Sequence, residues 1–253
     1  MLKRILSVTL ALALGAGYAA AQVVYADPTS DLRGRVSVGI EKKLAKGLHG
    51  GIEEELRFED GLSAFARSMT TASLSYKFNK YLRAGAGYSF IYIPDDVRHR
   101  VYADLTGRYK AGGWTFSLRE RLQCTHLTRE FNEYQQPRNA LALRSRLKLS
   151  YQLFAKPLVP YLSVELRNVL NGAKYTDASD PSTMTYSDLY ADRVRTALGV
   201  QWKLSKRSSL DFYGLFDACS RRDSDASKKG VLKSITIEPA YNFTVGVAYS
   251  FAL

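Results

Sequence analysis

What most constrains this chain is a two-residue rhythm. After Ala21 no apolar run is long enough for a helix to cross a bilayer. Instead, segments of about ten residues alternate apolar with polar side chains and are separated by turn-forming residues. Period two puts residues i and i+2 on the same side of a strand, so each segment describes a strand with one apolar and one polar face. Leu32, Val36, Val38 and Ile40 alternate with Arg33, Arg35, Ser37 and Glu41. Leu82, Ala84, Ala86, Tyr88 and Phe90 alternate with Arg83, Gly85, Gly87 and Ser89. Leu141, Leu143, Leu147, Leu149 and Tyr151 oppose Arg144, Arg146, Lys148 and Ser150. Eleven such segments are clear, the others lying at 48–58, 64–78, 100–109, 114–124, 160–168, 193–203, 210–217 and 233–251.

Tight connections at Asn79-Lys80, Ala111–Gly113, Phe154–Leu158 and Leu204–Ser208 take turns with long ones at Thr128–Arg138, Asn171–Ser187 and Cys219–Leu232. This fits an up-and-down barrel with short periplasmic turns and long external loops. Ala45-Lys46-Gly47 falls on the short side, so the strand containing Leu32 needs a partner before it. Gln22–Ala26 is the available segment, with Asp27-Pro28-Thr29-Ser30 as its turn. The expected fold is therefore all-β: a closed antiparallel transmembrane up-and-down β-barrel of about 12 strands. Tyr76, Phe78, Tyr109, Trp114, Tyr151, Trp202, Tyr249 and Phe251 all lie beside tight turns or the C-terminus, as an interfacial aromatic girdle requires. A secreted soluble β-sandwich that binds a ligand would also alternate. It would have no reason to gather aromatics at one strand end or arginines on its polar face.

The two ends of the chain support the same reading. Lys3 and Arg4, the apolar run Ile5–Leu14 and the small residues Ala19-Ala20-Ala21 describe a secretory signal peptide over residues 1–21, leaving 22–253 as the barrel. The net charge of +12 would by itself permit nucleic acid as a partner. Export and the lack of a zinc-knuckle or RNP-type motif argue against it. At the other end, Thr244 to Phe251 fits polar-x-Gly-x-x-aromatic-x-aromatic, with Gly246, Tyr249 and Phe251 as its marked positions. This resembles the signal by which the barrel-assembly machinery captures a last strand through its open edge. Ala252 and Leu253 follow the final aromatic, a small departure.

Gly39–Leu44, Glu53–Arg57, Leu74–Leu82 and Gly85–Tyr88, with Leu143–Leu147 and Asp192–Arg195, resemble uncharacterised outer-membrane barrels of Bacteroidetes-type bacteria, classed as a domain of unknown function. The resemblance covers most of the mature chain. It implies a cell outer-membrane location and an architecture, and it brings no activity, cofactor or catalytic residue.

The polar faces are strongly basic. Arg100, Arg119, Arg121, Arg144, Arg146, Arg193 and Arg195 should line the lumen with Glu53, Glu55 and Glu165, and bases outnumber acids about two to one on that face. Arg or Lys against lipid at mid-depth would cost about 2–4 kcal/mol each, so they must face inward. They could form a filled structural network with the acids, or an anion-attracting passage. Three Arg-x-Arg pairs are expected to meet across the lumen. Glu54 and Glu120 fall on the apolar face, so either a β-bulge shifts the phase there or the register differs locally.

Enzymatic readings are weak. His126 and Thr128 share a strand face near the outer rim and distantly resemble a His-x-Ser pair of membrane deacylases. Asp95, Asp96 and His99 fall in one expected external loop and suggest an acid-plus-His protease. An outer-membrane hydrolase is thus the alternative to a non-enzymatic barrel. No Cys/His cluster has zinc spacing and no cofactor motif is present. Cys124 and Cys219 lie on non-neighbouring strands, which disfavours a disulfide. The expected partners are membrane lipid, the assembly machinery and anionic solutes.

Overall fold

The computed structural model describes residues 22–129, 132, 134–153, 156–176, 184–186 and 189–253. The expected signal peptide at residues 1–21 lies outside the described residues. The fold is one large closed sheet with a two-stranded sheet beside it in the chain. Its strands are β1 (Gln22–Tyr25), β2 (Thr29–Ala45), β3 (Leu48–Glu59), β4 (Ala64–Lys77), β5 (Leu82–Ile93), β6 (Asp96–Ala111) and β7 (Trp114–Leu127). They continue as β8 (Asn139–Tyr151), β9 (Leu158–Val169), β12 (Tyr190–Lys203), β13 (Ser208–Ala226) and β14 (Leu232–Ala252), with a small separate hairpin of β10 (Lys174–Thr176) and β11 (Met184–Tyr186). From β2 to β14 each barrel strand pairs antiparallel with the next. The wall closes where β14 pairs with β2, from Ala240↔Thr29 to Ala252↔Glu41, and this seam is parallel.

The closed wall therefore has eleven strands, each containing one of the eleven alternating segments. The twelfth strand is corrected. β1 exists but runs parallel to β14, pairing Gln22↔Ser234 to Tyr25↔Ile237. It points the same way as β2 and extends the same seam, so Asp27-Pro28 interrupts one ribbon and does not reverse it. Pro28 lacks an N–H for the ladder, which accounts for a break there.

At one end, the turn end, two-residue connections at Lys46-Gly47 and Gly112-Gly113 use left-handed backbone at Gly47 (φ 79°) and Gly112 (φ 57°). The other end, the loop end, differs from expectation in two places. β5 and β6 meet through Pro94-Asp95 alone, so no loop holds Asp96 and His99. The segment 219–232 is mostly strand, because β13 and β14 run on as a long hairpin with cross-strand pairs as far as Ala226↔Leu232, after a register shift beside Asp225. Ala173 and Tyr175 pack with Leu232 and Ile235 of that hairpin into a small apolar cluster.

Burial is inverted relative to a water-soluble barrel. Ser37, Glu55, Ser89, Gln123, Glu165, Asp217, Asn242 and Thr244 are buried on the inner face. Ile52, Leu74, Val101, Leu118, Leu147, Leu198 and Phe243 stand exposed on the outer face. The turn-end aromatics include Tyr76 and Phe78, with ring centres 5.1 Å apart, and Trp114 and Tyr151 at 4.7 Å. A second set that the alternation did not single out lies toward the loop end, with Phe65 set between Phe58 and Tyr92 at 6.3 and 6.4 Å.

Candidate functional site

The lumen is built by the inward residues of the alternating strands, and register decides which of them meet. Arg121 on β7, Arg144 on β8, Arg167 on β9 and Arg193 on β12 are direct cross-strand neighbours. They form an unbroken row of four arginines along the wall. Arg35, Arg57 and Arg67 form a second row across β2, β3 and β4. The Arg-x-Arg pairs of β7 and β8 thus meet side by side, Arg119 opposite Arg146 and Arg121 opposite Arg144, and not across the lumen as expected. The two strands are consecutive and therefore adjacent in an up-and-down wall, which brings these pairs onto one side of the lumen.

Like charges placed opposite each other in a sheet repel, and the acids sit where they relieve this. Glu165, buried on β9, accepts from Arg144 Nη2 at 2.6 Å and from Arg119 Nη2 at 2.8 Å. Asp217 takes both Arg195 Nε at 2.6 Å and Nη2 at 2.9 Å, a two-point fork. Asp104 accepts from Arg121 at 2.5 Å. Glu55 lies 2.5 Å from Arg57 and 3.4 Å from Arg35, while Glu53 lines the same central cavity. Arg167 pairs with Asp192 at 2.8 Å. Strict alternation would turn Asp192 outward. The register shift between Ala191 and Arg193 is the bulge that turns it in, and nothing in the local pattern announces it.

Three inward tyrosines follow a common plan. Tyr102, Tyr161 and Tyr213 each face a cross-strand glycine: Gly87, Gly199 and Gly246. A Cβ on Gly87 would meet the Tyr102 ring at 2.5 Å, and one on Gly199 the Tyr161 ring at 2.6 Å. Gly246 is equally covered by Tyr213. The rings therefore occupy the space where side chains would otherwise stand. The cation of Arg121 lies 3.8 Å over Tyr102, and Lys148 Nζ lies 3.5 Å over Tyr161. Tyr161 also donates to Asp211 at 3.0 Å. Gly246 thus has a packing role inside the barrel, whereas Tyr249 and Phe251 lie on the outer face near the turn end, paired with Val38 and Ile40.

Space remains between these groups. A cavity of about 690 Å³ opens at the turn end, one of about 420 Å³ occupies the middle and one of about 720 Å³ opens at the loop end. Neighbouring cavities share wall residues, Arg119 and Tyr161 below and Arg100 and Arg144 above. Their basic residues differ in kind. The turn-end cavity mixes arginines with Lys110, Lys148 and Lys203, whereas among the described residues every basic side chain of the loop-end cavity is an arginine.

The remaining candidates are scattered. His126 Nδ1 faces Asn139 Oδ1 at 2.8 Å, and Thr128 Oγ1 donates to the Val97 carbonyl. Asp96 turns into the loop-end cavity and binds Arg98 at 2.7 Å, whereas His99 is on the outer face against the Tyr88 hydroxyl at 2.6 Å. These two groups therefore lie on opposite sides of the wall. Glu54 and Glu120 do face outward, in continuous register and without a bulge, each accepting from a hydroxyl on the next strand: Thr70 at 2.5 Å and Ser145 at 2.6 Å. Both cysteines are free, Cys124 on the outer and Cys219 on the inner face.

These features define a closed β-barrel with an apolar exterior and an arginine-rich polar interior. The chain belongs to the family described as "Protein of unknown function (DUF2490)", whose model matches residues 36–228. No curated protein matches it.

Proposed function

We propose that this chain is an outer-membrane β-barrel of a Gram-negative bacterium that provides a narrow, anion-preferring passage and carries no catalytic step. The observation that carries the reading is the chain of arginine-lined cavities inside a wall whose exposed face is apolar. A soluble protein would lose by exposing that wall, whereas lipid favours it. The aromatic sets agree in scale. Phe65 and Tyr76 are eleven residues apart on β4, both on the outer face because of the register shift that sets Phe65 opposite Phe58, about 36 Å along the strand and about 28 Å along the axis at a tilt of ~40°. An apolar band about 25 Å tall is typical of such barrels.

The same reading makes lipid a partner of the wall and the barrel-assembly machinery a partner of β14, with Tyr249 and Phe251 as its apolar anchors. It also follows the resemblance to outer-membrane barrels of Bacteroidetes-type bacteria. Arginine rows in the lumen would concentrate anions and exclude cations. The test is conductance of the purified, folded chain in a planar bilayer under a salt gradient. The reversal potential should carry the sign of anion selectivity. A cation-selective trace, or none from protein that shows the heat-dependent gel shift of a folded barrel, would overturn the passage.

A further inference from the structure

We propose that the loop-end chamber is a binding site for a phosphate- or sulfate-type oxyanion, clasped between the arginine row of β2–β4 and the longer row of β7–β12. The inference rests on the water-filled, basic lumen of the preceding reading and assigns it a ligand class and a place. Three observations lead there.

The first is charge left over after pairing. Several arginines of the chamber have a carboxylate partner, as Arg57, Arg144, Arg167 and Arg195 do. Among the described residues, Arg67, Arg100 and Arg193 have no carboxylate within ion-pair distance, and all three line the chamber. Arg100 has only the Thr125 hydroxyl, at 3.0 Å, and the Met69 sulfur. The second is unused donors. The Nε groups of Arg167 and Arg193 are buried without a hydrogen-bond partner. A buried donor without an acceptor is costly, and an entering oxygen would satisfy it.

The third is the choice of side chain. A lumen that only needed positive charge could use lysine, as the turn-end cavity does in part with Lys110, Lys148 and Lys203. The loop-end chamber uses arginine throughout. Its planar fork matches the paired oxygens of phosphate and sulfate, whereas a spherical halide gains nothing from it. Arg67 belongs to one row and Arg193 to the other, so the ligand best suited carries more than one charge. At about 720 Å³ the chamber holds a pyrophosphate or a small phosphate ester with room for water.

The test uses the full folded chain in detergent and follows binding by titration calorimetry at fixed ionic strength. Sodium pyrophosphate should bind saturably, and sodium chloride and sodium acetate should not. Arg67→Gln and Arg193→Gln should each weaken pyrophosphate at least tenfold. Arg193→Lys keeps the charge but loses the fork and should still weaken it several-fold. Lys46→Gln, at a turn remote from the chamber, should leave binding unchanged. Folding of each variant is checked by heat-dependent gel mobility, and Arg100→Gln replaces any that does not fold. Short-chain phosphatidic acid binding more tightly than pyrophosphate would keep the oxyanion site and assign it to a lipid headgroup. Equal response to pyrophosphate and acetate, or wild-type binding by both glutamine variants, would overturn the proposal. Selective pyrophosphate binding without conductance would remove the passage and keep the site. Anion-selective conductance with no pyrophosphate binding would remove the site and keep the passage.

Discussion

Tyr161 spans Gly199 on the neighbouring strand and carries Lys148 Nζ 3.5 Å above its ring. Glycine, tyrosine and lysine are stacked in three layers from wall to lumen. The missing Cβ lets the ring lie close to the backbone, and the flat ring leaves the axis free while covering a glycine that would otherwise weaken the strand.

Filling that gap should be costly. Gly199→Ala places a methyl 2.6 Å from the Tyr161 ring and 2.8 Å from the Phe212 carbonyl oxygen, so the ring must move and the neighbouring backbone must give as well. The expected loss is about 1–3 kcal/mol, the usual range for overpacking, read as a lower urea midpoint in detergent. Tyr161→Ala combined with Gly199→Ala should recover part of the loss that either pairing conflict causes. Additive losses in the double mutant would show that ring and methyl do not compete.

Glu165 serves two arginines at once, Arg119 and Arg144. Glu165→Gln keeps its shape and removes the charge from a buried cluster. Breaking buried pairs in this way costs about 3–5 kcal/mol, and urea unfolding of the detergent-solubilised barrel measures it. Glu41→Gln, which loses a half-exposed contact with Arg83 at 3.6 Å and one with His49 Nδ1 at 2.9 Å, should cost no more than about 1 kcal/mol.

Glu120 stands among Leu105, Leu118 and Leu122 on the outer face, bonded to Ser145. If this face meets hydrocarbon, Glu120→Leu removes an expensive polar group. Stability in lipid should then rise by about 1–2 kcal/mol, less than basic residues would give at that depth. Unfolding from phospholipid bicelles is the measurement. A loss of stability there would mean that position 120 meets water or a partner.

The free cysteines report on the two faces without any mutation. Cys219 sits opposite Arg193 on the inner wall, while Cys124 lies outward between Val101 and Leu141. An anionic methanethiosulfonate should modify Cys219 faster than a cationic one, by about tenfold or more in so basic a cavity. Cys124 should resist both in lipid. Mass spectrometry of tryptic peptides separates the two sites, and preferential labelling of Cys124 would contradict the assigned faces.

Which side each residue faces was legible in the sequence because strand period is local: Arg119, Arg144 and Glu165 point inward for the same reason that Leu118, Leu143 and Leu166 point outward. What a residue touches was less legible, because partners come from other strands. The four-arginine row depends on the register of β7, β8, β9 and β12, which holds up to Arg193 and shifts only beyond it. The tyrosine–glycine stacks depend on Tyr102, Tyr161 and Tyr213 falling opposite glycines some 15 to 40 residues away. Asp192 escaped because a single extra residue reverses the phase, and β1 because the strand containing Leu32 finds its partner in β14 through a parallel seam and needs no strand before it.

That odd number has a directional consequence. In a wall of even count the chain enters and leaves at the same rim. Here β2 and β14 run the same way, so the polypeptide enters at the loop end and departs at the turn end. The two extremities of the wall therefore lie at opposite rims, and in a barrel set across a membrane, as proposed above, a marker joined to each would report from different sides. The joint between them is the ladder of slanted bonds, slightly weaker per residue than its neighbours. It unites residues 29–41 with 240–252, so it cannot form until the whole chain has been laid down. It is the place where the ring should zip last and part first.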